Sequence, residues 1–366
     1  MNDLSTTESA DGVGIHQILA SASEGDAITN LALATRDLLR KVGPSEIYAR
    51  HVPESMQDDI REIVDYNSRH SRNVLIVHAS IGQAEVHEFL LSRKEPLVLV
   101  YHNITPASFY QELDPFFADL LSIGRHEIER LRSRVVVAMA DSAYNARELE
   151  AMGYEDVRVV PPVVHLHRFE GIAPRPETLE TLRNIDAPWL LSVGQLLPHK
   201  RPDYLVQMMH VAETYMGANA RLLLVGHQRL EKYANAIREQ VRELNLDKVH
   251  LIGPVADSDL VAYFHAASAV VTSSEHEGFC LPLLEAMSME KPILARSFAA
   301  IPETVGDAAL LLPPHVGPTF YAEAMTELLA NKPLQQHLVA RGRARIAELG
   351  ARTPDTAIIE TLLQVV

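Results

Sequence analysis

The sequence contains a single cysteine, Cys280, in 366 residues. One thiol closes no intrachain disulfide and builds no cysteine-based zinc site. Positive charge is also scarce. The 33 lysines and arginines face 48 aspartates and glutamates, for a formal net charge of −15. Binding to a phosphate backbone needs clustered cations, so no nucleic-acid partner is expected. Long apolar runs are missing too, and none approaches the roughly 20 residues that cross a bilayer. The opening MNDLSTTESADGVG is polar and acidic, without the basic and apolar regions of a secretory signal, and makes the cytoplasm the expected compartment. What the chain does hold is an ordinary globular balance, 47% hydrophobic and 22% charged. Its length exceeds what one core usually supports, which predicts two domains.

Short runs rich in Val, Ile and Leu alternate with longer amphipathic stretches. In the first half they are Gly14–Ala20, Glu46–Val52, Asn73–Ala79, Pro96–Asn103, Arg134–Ser142 and Val157–Val164. In the second they are Trp189–Gln195, Ala220–Gly226, Lys248–Pro254, Ala269–Ser274 and Pro292–Ser297. Continuous apolar runs of this length read as strands buried on both faces, hence parallel sheets joined through helices. A helix is expected from about Asp26, with Arg40 and Lys41 in its last turn and a stop at Gly43. A Pro- and charge-rich stretch, Phe169–Asp186, separates the two series and is read as a linker. Two doubly wound α/β domains in tandem follow, with ligands expected outside the carboxyl ends of the strands.

The stretch SSEHEGFCLPLLEAMSMEKPI, Ser273 to Ile293, is the most informative. AVVTSS is a strand and EHEGFC the loop at its carboxyl end. Pro282 fits the first turn of a helix. The N–H groups of Phe279, Cys280 and Leu281 then open that helix and form a phosphate-binding site. Glu285 lies about one turn into the helix, and Glu277 lies in the loop on the other side of the anion site. That layout suits a phosphate centre flanked by two polyols, as in a nucleoside diphosphate sugar; taken alone, the two glutamates read equally well as a surface carboxylate and a helix-start carboxylate favouring the dipole.

This stretch resembles the signature of retaining glycosyltransferases of family 4, the glycosyl transferases group 1: Glu-Gly-Phe-Gly-Leu-Pro, two residues, then Glu-Ala. The resemblance implies an α/β GT-B fold, two Rossmann-like doubly wound domains facing across a cleft. It implies an N-terminal acceptor-binding domain over 1–168, a linker over 169–186, and a donor domain over 187–350. A C-terminal helix over 351–366 would pack back on the N-terminal domain. It further implies that Glu277 touches the donor sugar, that Gly278, Phe279, Cys280 and Leu281 hold sugar and phosphate through backbone, and that Glu285 accepts the ribose hydroxyls. Cys280 stands where the family has glycine, and its own chemistry favours a small buried hydrophobe over a reactive thiol.

Further stretches extend the resemblance. In SVGQLLPHKRPDYLV, Gly194 makes the turn and Lys200 matches the family lysine that offsets diphosphate charge. Gln195 stands where the family has arginine; it and Arg201 are taken as donor-binding, and spacing leaves open whether Arg201 compensates. His102 ends a buried strand and resembles the family histidine beside the donor sugar. Gly25 resembles the glycine-rich loop of the N-domain. Gly253 and Val255 resemble the loop that reads the base. Asp257-Ser258-Asp259 is read as a helix start, with Asp257 or Ser258 as N-cap, and not as a metal motif. His165 and His167 are read as loop residues, and no metal or cofactor is expected. Phe116–Arg134 carries Arg125, Arg130, Arg132 and Arg134 on an amphipathic pattern. Peripheral membrane contact at the inner face is the alternative there to an ordinary packed helix, and the packed helix is favoured.

The expected activity is metal-independent, retaining hexosyl transfer from a UDP- or GDP-linked donor to a glycan, lipid-linked saccharide or small acceptor, in polysaccharide or glycoconjugate biosynthesis. Glu277, His102 and Lys200 are the expected catalytic residues. The alternatives are a sucrose- or trehalose-type synthase of the same fold, and a non-catalytic nucleotide-sugar binding subunit.

Overall fold

The computed structural model describes residues 13–67, 73–162, 168–351 and 354–365. His165 and His167 lie outside them. The chain divides into two units. The first comprises Met1–Ser108, Pro115–Val164 and Thr353–Val366, and the second Phe109–Asp114 and His165–Arg352.

The elements of the first unit begin with β1 (Ile15–Leu19), α1 (Ala27–Leu39), β2 (Ile47–Ala49), β3 (Ile60–Glu62), β4 (Val74–Ala79), α2 (Ala84–Ser92) and β5 (Leu97–Tyr101). They continue with α3 (Pro115–Leu131), β6 (Val135–Ala140), α4 (Ala143–Ala151) and β7 (Val157–Val159). The sheet is parallel, in the order β3-β2-β1-β4-β5-β6-β7. β1 and β4 are buried at every position, as strands covered on both faces must be. Asp26 caps α1 by accepting from Thr29 N, and the helix ends at Leu39, one turn before the expected stop.

In the second unit the elements are α5 (Pro176–Arg183), β8 (Trp189–Val193), α6 (Pro202–Met216), β9 (Arg221–Val225), α7 (Glu231–Glu243), β10 (Val249–Gly253) and α8 (Asp257–Ala266). Next come β11 (Ala267–Thr272), α9 (Leu281–Ser288), β12 (Ile293–Arg296), α10 (Ile301–Val305), β13 (Ala309–Leu312), α11 (Pro318–Ala330) and α12 (Lys332–Ala351). The parallel order is β10-β9-β8-β11-β12-β13. The strand order reverses at β8/β11, so the loops leaving these neighbours diverge and open the crevice in which such sheets bind ligands.

Two stretches depart from the sequence reading, Phe169–Asp186 and Phe109–Asp114. The stretch read as a linker carries α5, which packs on α8 within the second unit. The last helix, α13 (Pro354–Leu363), belongs to the first unit, where Ile358 and Leu362 join Ile76, Val98 and Met139 in the core. Residues Phe109–Asp114 belong with the second unit, where Tyr110 Oη bonds His199 Nδ1 at 3.0 Å.

Backbone packing positions the loops above β8 and β9. Gly194 and Gly226 both take φ of 151°. A Cβ on Gly226 would lie 2.0 Å from the Gly194 carbonyl oxygen. Two backbones cross there with no room for a side chain. Gly226→Ala is therefore expected to destabilise the second unit by roughly 3 kcal/mol, as overpacking against rigid backbone does. Urea unfolding of the variant checks this, and a loss below about 1 kcal/mol would contradict it.

Candidate active site

In the second unit, the loop after β8 passes through Pro198, His199 and Lys200 before α6, and the loop after β11 runs from Ser273 to Cys280. The two are tied together. Ser273 Oγ donates to the carbonyls of Lys200 at 3.1 Å and Arg201 at 2.6 Å, and Glu275 N donates to His199 O at 2.8 Å. Across this seam Lys200 Nζ meets Glu277 Oε1 at 2.7 Å. Lys200 is 22% exposed and Glu277 10%. Burial presses the Lys200 ammonium downward, but the Glu277 carboxylate and its hydrogen bond outweigh it and leave the pKa raised. The lysine stays charged. An ammonium has three donors, and Glu277 Oε1 takes one.

Cys280 is the N-cap of α9, at φ 68° and ψ 64°. This is left-handed backbone, the region that favours glycine, and it accounts for the family glycine at this place. Burial and then Glu277 push the Cys280 thiol well up, so it stays protonated. The first-turn N–H groups of α9 open beside the Lys200–Glu277 pair. Gly194, Gln195 and Lys200 line one cavity with Ser192, Thr272 and Ser274. Gly253 ends β10 at φ 85°, and Val255 follows, half-buried.

The structure closes the question over Arg201 and corrects the expected cap of α8. Arg201 is not a spare cation for the position of Gln195. Its guanidinium is held by Asp203 at 2.9 Å and by Glu275, which also takes Arg296 at 3.0 Å. Nor does Asp257 or Ser258 cap α8. The N-cap is Ala256, without a side-chain bond, and the two aspartates hold arginines instead: Asp259 takes Arg175 at 2.9 Å, and Asp257 takes Arg168 at 2.6 Å. Arg168 also reaches Glu285 at 2.6 Å. Burial raises the Glu285 pKa, Arg168 opposes this, and Asp257 adds to it. Sequence reading passed over Arg168, because a single arginine at the edge of a Pro-rich stretch carries no spacing signal.

In the first unit His102 follows β5, and its side chain is 5% exposed. Its Nδ1 faces Asp141 Oδ2 at 2.9 Å, and its Nε2 faces His78 Nδ1 at 2.8 Å. His78 Nε2 in turn faces Gln17 Oε1 at 2.8 Å, and Gln17 Nε2 donates to Ala32 O at 3.0 Å. The Ala32 carbonyl fixes the amide orientation of Gln17, so His78 donates through Nε2 and accepts at Nδ1. Both ring nitrogens of His102 are thus engaged. His78 is the penultimate residue of β4, yet its apolar run gave no hint of a polar partner. Gly25 sits at φ 70° in the turn before α1. Among the arginines of the α3 region, Arg125 bonds Glu148 at 3.1 Å, Arg132 bonds Met152 O at 3.2 Å, and Arg134 bonds Arg93 O at 2.6 Å. Among the described residues no helix is long and apolar enough to cross a membrane.

Residues 179–345 match the family described as glycosyl transferases group 1. The matched segment lies within the second unit. A D-inositol 3-phosphate glycosyltransferase of Kineococcus radiotolerans is 28% identical over 261 residues, 65% of this chain and 58% of that protein. The O-antigen chain mannosyltransferase B of Escherichia coli is 29% identical over 174 residues, 46% of this chain and 45% of the relative. The chain thus spans about half the length of the curated relatives it matches. Among solved structures, sucrose-phosphate synthase of Thermosynechococcus elongatus superposes with a TM-score of 0.73 at 18% identity, covering 96% of this chain and 98% of that one. HepE of Anabaena, solved with UDP and glucose, gives 0.74 at 14% identity, covering 96% and 99%. The fold is GT-B.

Buried histidines set a pH dependence. Burial first, and then the neighbouring His102, holds His78 well below 6.5. Burial, followed by Lys200 and His276, does the same for His199. Both are neutral when folded, whereas the unfolded chain takes up protons as pH falls through 6.5. Stability is therefore expected to fall below that pH, by up to about 1.4 kcal/mol per histidine per pH unit. Urea unfolding between pH 7.5 and 5.5 measures the slope, and His199→Gln should flatten it for the second unit. An unchanged slope in the variant counts against the buried neutral histidine.

Proposed function

We propose that the protein is a retaining glycosyltransferase that moves a hexosyl unit from a UDP- or GDP-linked donor to a hydroxyl of a glycan, lipid-linked saccharide or small acceptor. The observation that carries this reading is the Lys200–Glu277 pair at the opening of α9, with Glu285 about one turn further along the same helix. In this reading the donor diphosphate sits against the α9 N–H groups and Lys200, Glu277 accepts from a sugar hydroxyl, and Glu285 accepts from the ribose. The bond from the anomeric carbon to the phosphate oxygen breaks with its electron pair on the phosphate. Lys200 and the helix start stabilise that charge as it develops. The acceptor oxygen bonds to the same face of the anomeric carbon, and its proton passes to the departing phosphate. No step asks for a protein nucleophile or a metal.

The commitment of Arg201 to Asp203 and Glu275 favours a second reading, a subunit that binds donor without transferring it. Product analysis separates the two, because only a transferase releases nucleoside diphosphate at a rate that depends on acceptor.

Thermal shift with UDP, GDP, ADP and their sugar conjugates tests the donor site. A ligand at about 100 times its dissociation constant adds roughly 2.7 kcal/mol to the unit that binds it. One base should raise the midpoint, and Glu285→Ala should lose most of the gain. No stabilisation by any of them would remove the donor-site reading. In turnover, Lys200→Gln should lower kcat by about 10²–10³-fold, the scale of a lost transition-state donor, with a smaller change in donor KM. A variant that keeps wild-type kcat would take Lys200 out of the chemistry.

A further inference from the structure

The carboxylate assigned to the ribose is already occupied. Arg168 Nη1 lies 2.6 Å from Glu285 Oε1, and Arg168 Nη2 lies 2.6 Å from Asp257 Oδ1. The planar fork of the guanidinium spans two carboxylates, one on α9 and one at the first position of α8. The stem is fixed from behind, with the guanidinium 5.0 Å from the centre of the Phe169 ring. Glu285 is 14% exposed, while Arg168 and Asp257 are 48% and 44% exposed. An ionised carboxylate only accepts, and both a guanidinium and a pair of hydroxyls only offer it protons here. The two therefore compete for Glu285. Asp257 gives the arginine somewhere to stay once it loses that competition.

We propose, resting on the donor-site reading above, that Arg168 is a specificity-determining residue of the nucleoside pocket: it holds Glu285 in the free protein, and the cis-diol of a ribonucleotide gains Glu285 by leaving Arg168 on Asp257 alone. Because Asp257 keeps the displaced cation paired, the exchange loses one half-exposed ion pair and strands no charge. A ligand that lacks the diol leaves Arg168 where it is. The arginine thus lowers affinity for ribonucleotides selectively, and the two neighbours of Glu285 act with opposite sign.

Isothermal titration of the full chain tests this with UDP, GDP and ADP and with the 2′,3′-dideoxy counterpart of whichever binds most tightly. Arg168→Gln should bind the ribonucleotide about fivefold more tightly, the size of one half-exposed ion pair, and the dideoxy analogue unchanged. Asp257→Asn should weaken ribonucleotide binding, because Arg168 then has Glu285 as its remaining partner in this trio. The double variant should match Arg168→Gln. Equal or weaker ribonucleotide binding by Arg168→Gln overturns the proposal and leaves the donor site standing. So does a loss from Asp257→Asn that persists without Arg168, and this arm keeps the proposal open to refutation if Arg168→Gln folds poorly. If neither wild type nor Arg168→Gln binds any of the three nucleotides, the donor-site reading and the proposal fall together.

Discussion

The site in the second unit depends on one ion pair. Lys200 and Glu277 come from loops separated by 77 residues of sequence, and each is mostly shielded from water. Removing either partner of such a pair leaves a buried charge, commonly at a cost of about 3–5 kcal/mol. The pair is therefore costly to break and sits where charge must change during the proposed reaction. It persists because the surrounding backbone leaves little choice. Ser273 clamps the Lys200 and Arg201 carbonyls, Glu275 N reaches the His199 carbonyl, and Gly194 and Gly226 allow the loops to close. Ion pair, clamp and glycine contact together hold the loops leaving β8 and β11 at the point where the strand order reverses.

Backbone conformation carries the same message. Among the described residues six that are not glycine have positive φ: Asn103, Arg201, Asn245, Cys280, Glu290 and Ala299. Asn245 and Glu290 follow the ends of α7 and α9, where left-handed residues are ordinary terminators. Three others stand within the candidate sites: Asn103 directly after His102, Arg201 directly after Lys200, and Cys280 at the head of α9. Each costs of order 1 kcal/mol, and surrounding contacts hold it in place. Asn103 is held by Asn145 and Glu148, and Arg201 by Asp203 and Glu275. The strain is concentrated where side chains must be aimed.

Much of this was legible in the sequence, for a physical reason. Strands buried on both faces have to be apolar throughout, so eleven apolar runs correspond to eleven of the strands. β3 escaped because only Ile60 of its three residues is buried, and β13 because it is a four-residue run at the sheet edge. The loop after β11 and the start of α9 were legible because AVVTSS reads as a strand and Pro282 marks a first helical turn, whereas the roles expected of Glu277 and Glu285 came from the resemblance of this stretch to the family signature. Arg168 and His78 were not legible. Their partners lie 117 and 24 residues away along the chain, and no periodicity links a side chain to a contact set by tertiary folding. The partners of Arg201 were beyond reach for the same reason, since spacing to Gln195 says nothing of Glu275.

The buried chain Gln17–His78–His102–Asp141 bears on how protons move. A general acid or base needs a ring nitrogen free to face its substrate. His102 has neither nitrogen free in this arrangement, because Asp141 takes one and His78 the other. Gln17, locked by the Ala32 carbonyl, fixes His78 and so the partner of His102 Nε2. A histidine engaged at both ring nitrogens offers neither of them to a substrate. In the proposed reaction the acceptor proton leaves with the phosphate, a step that asks no proton transfer of His102.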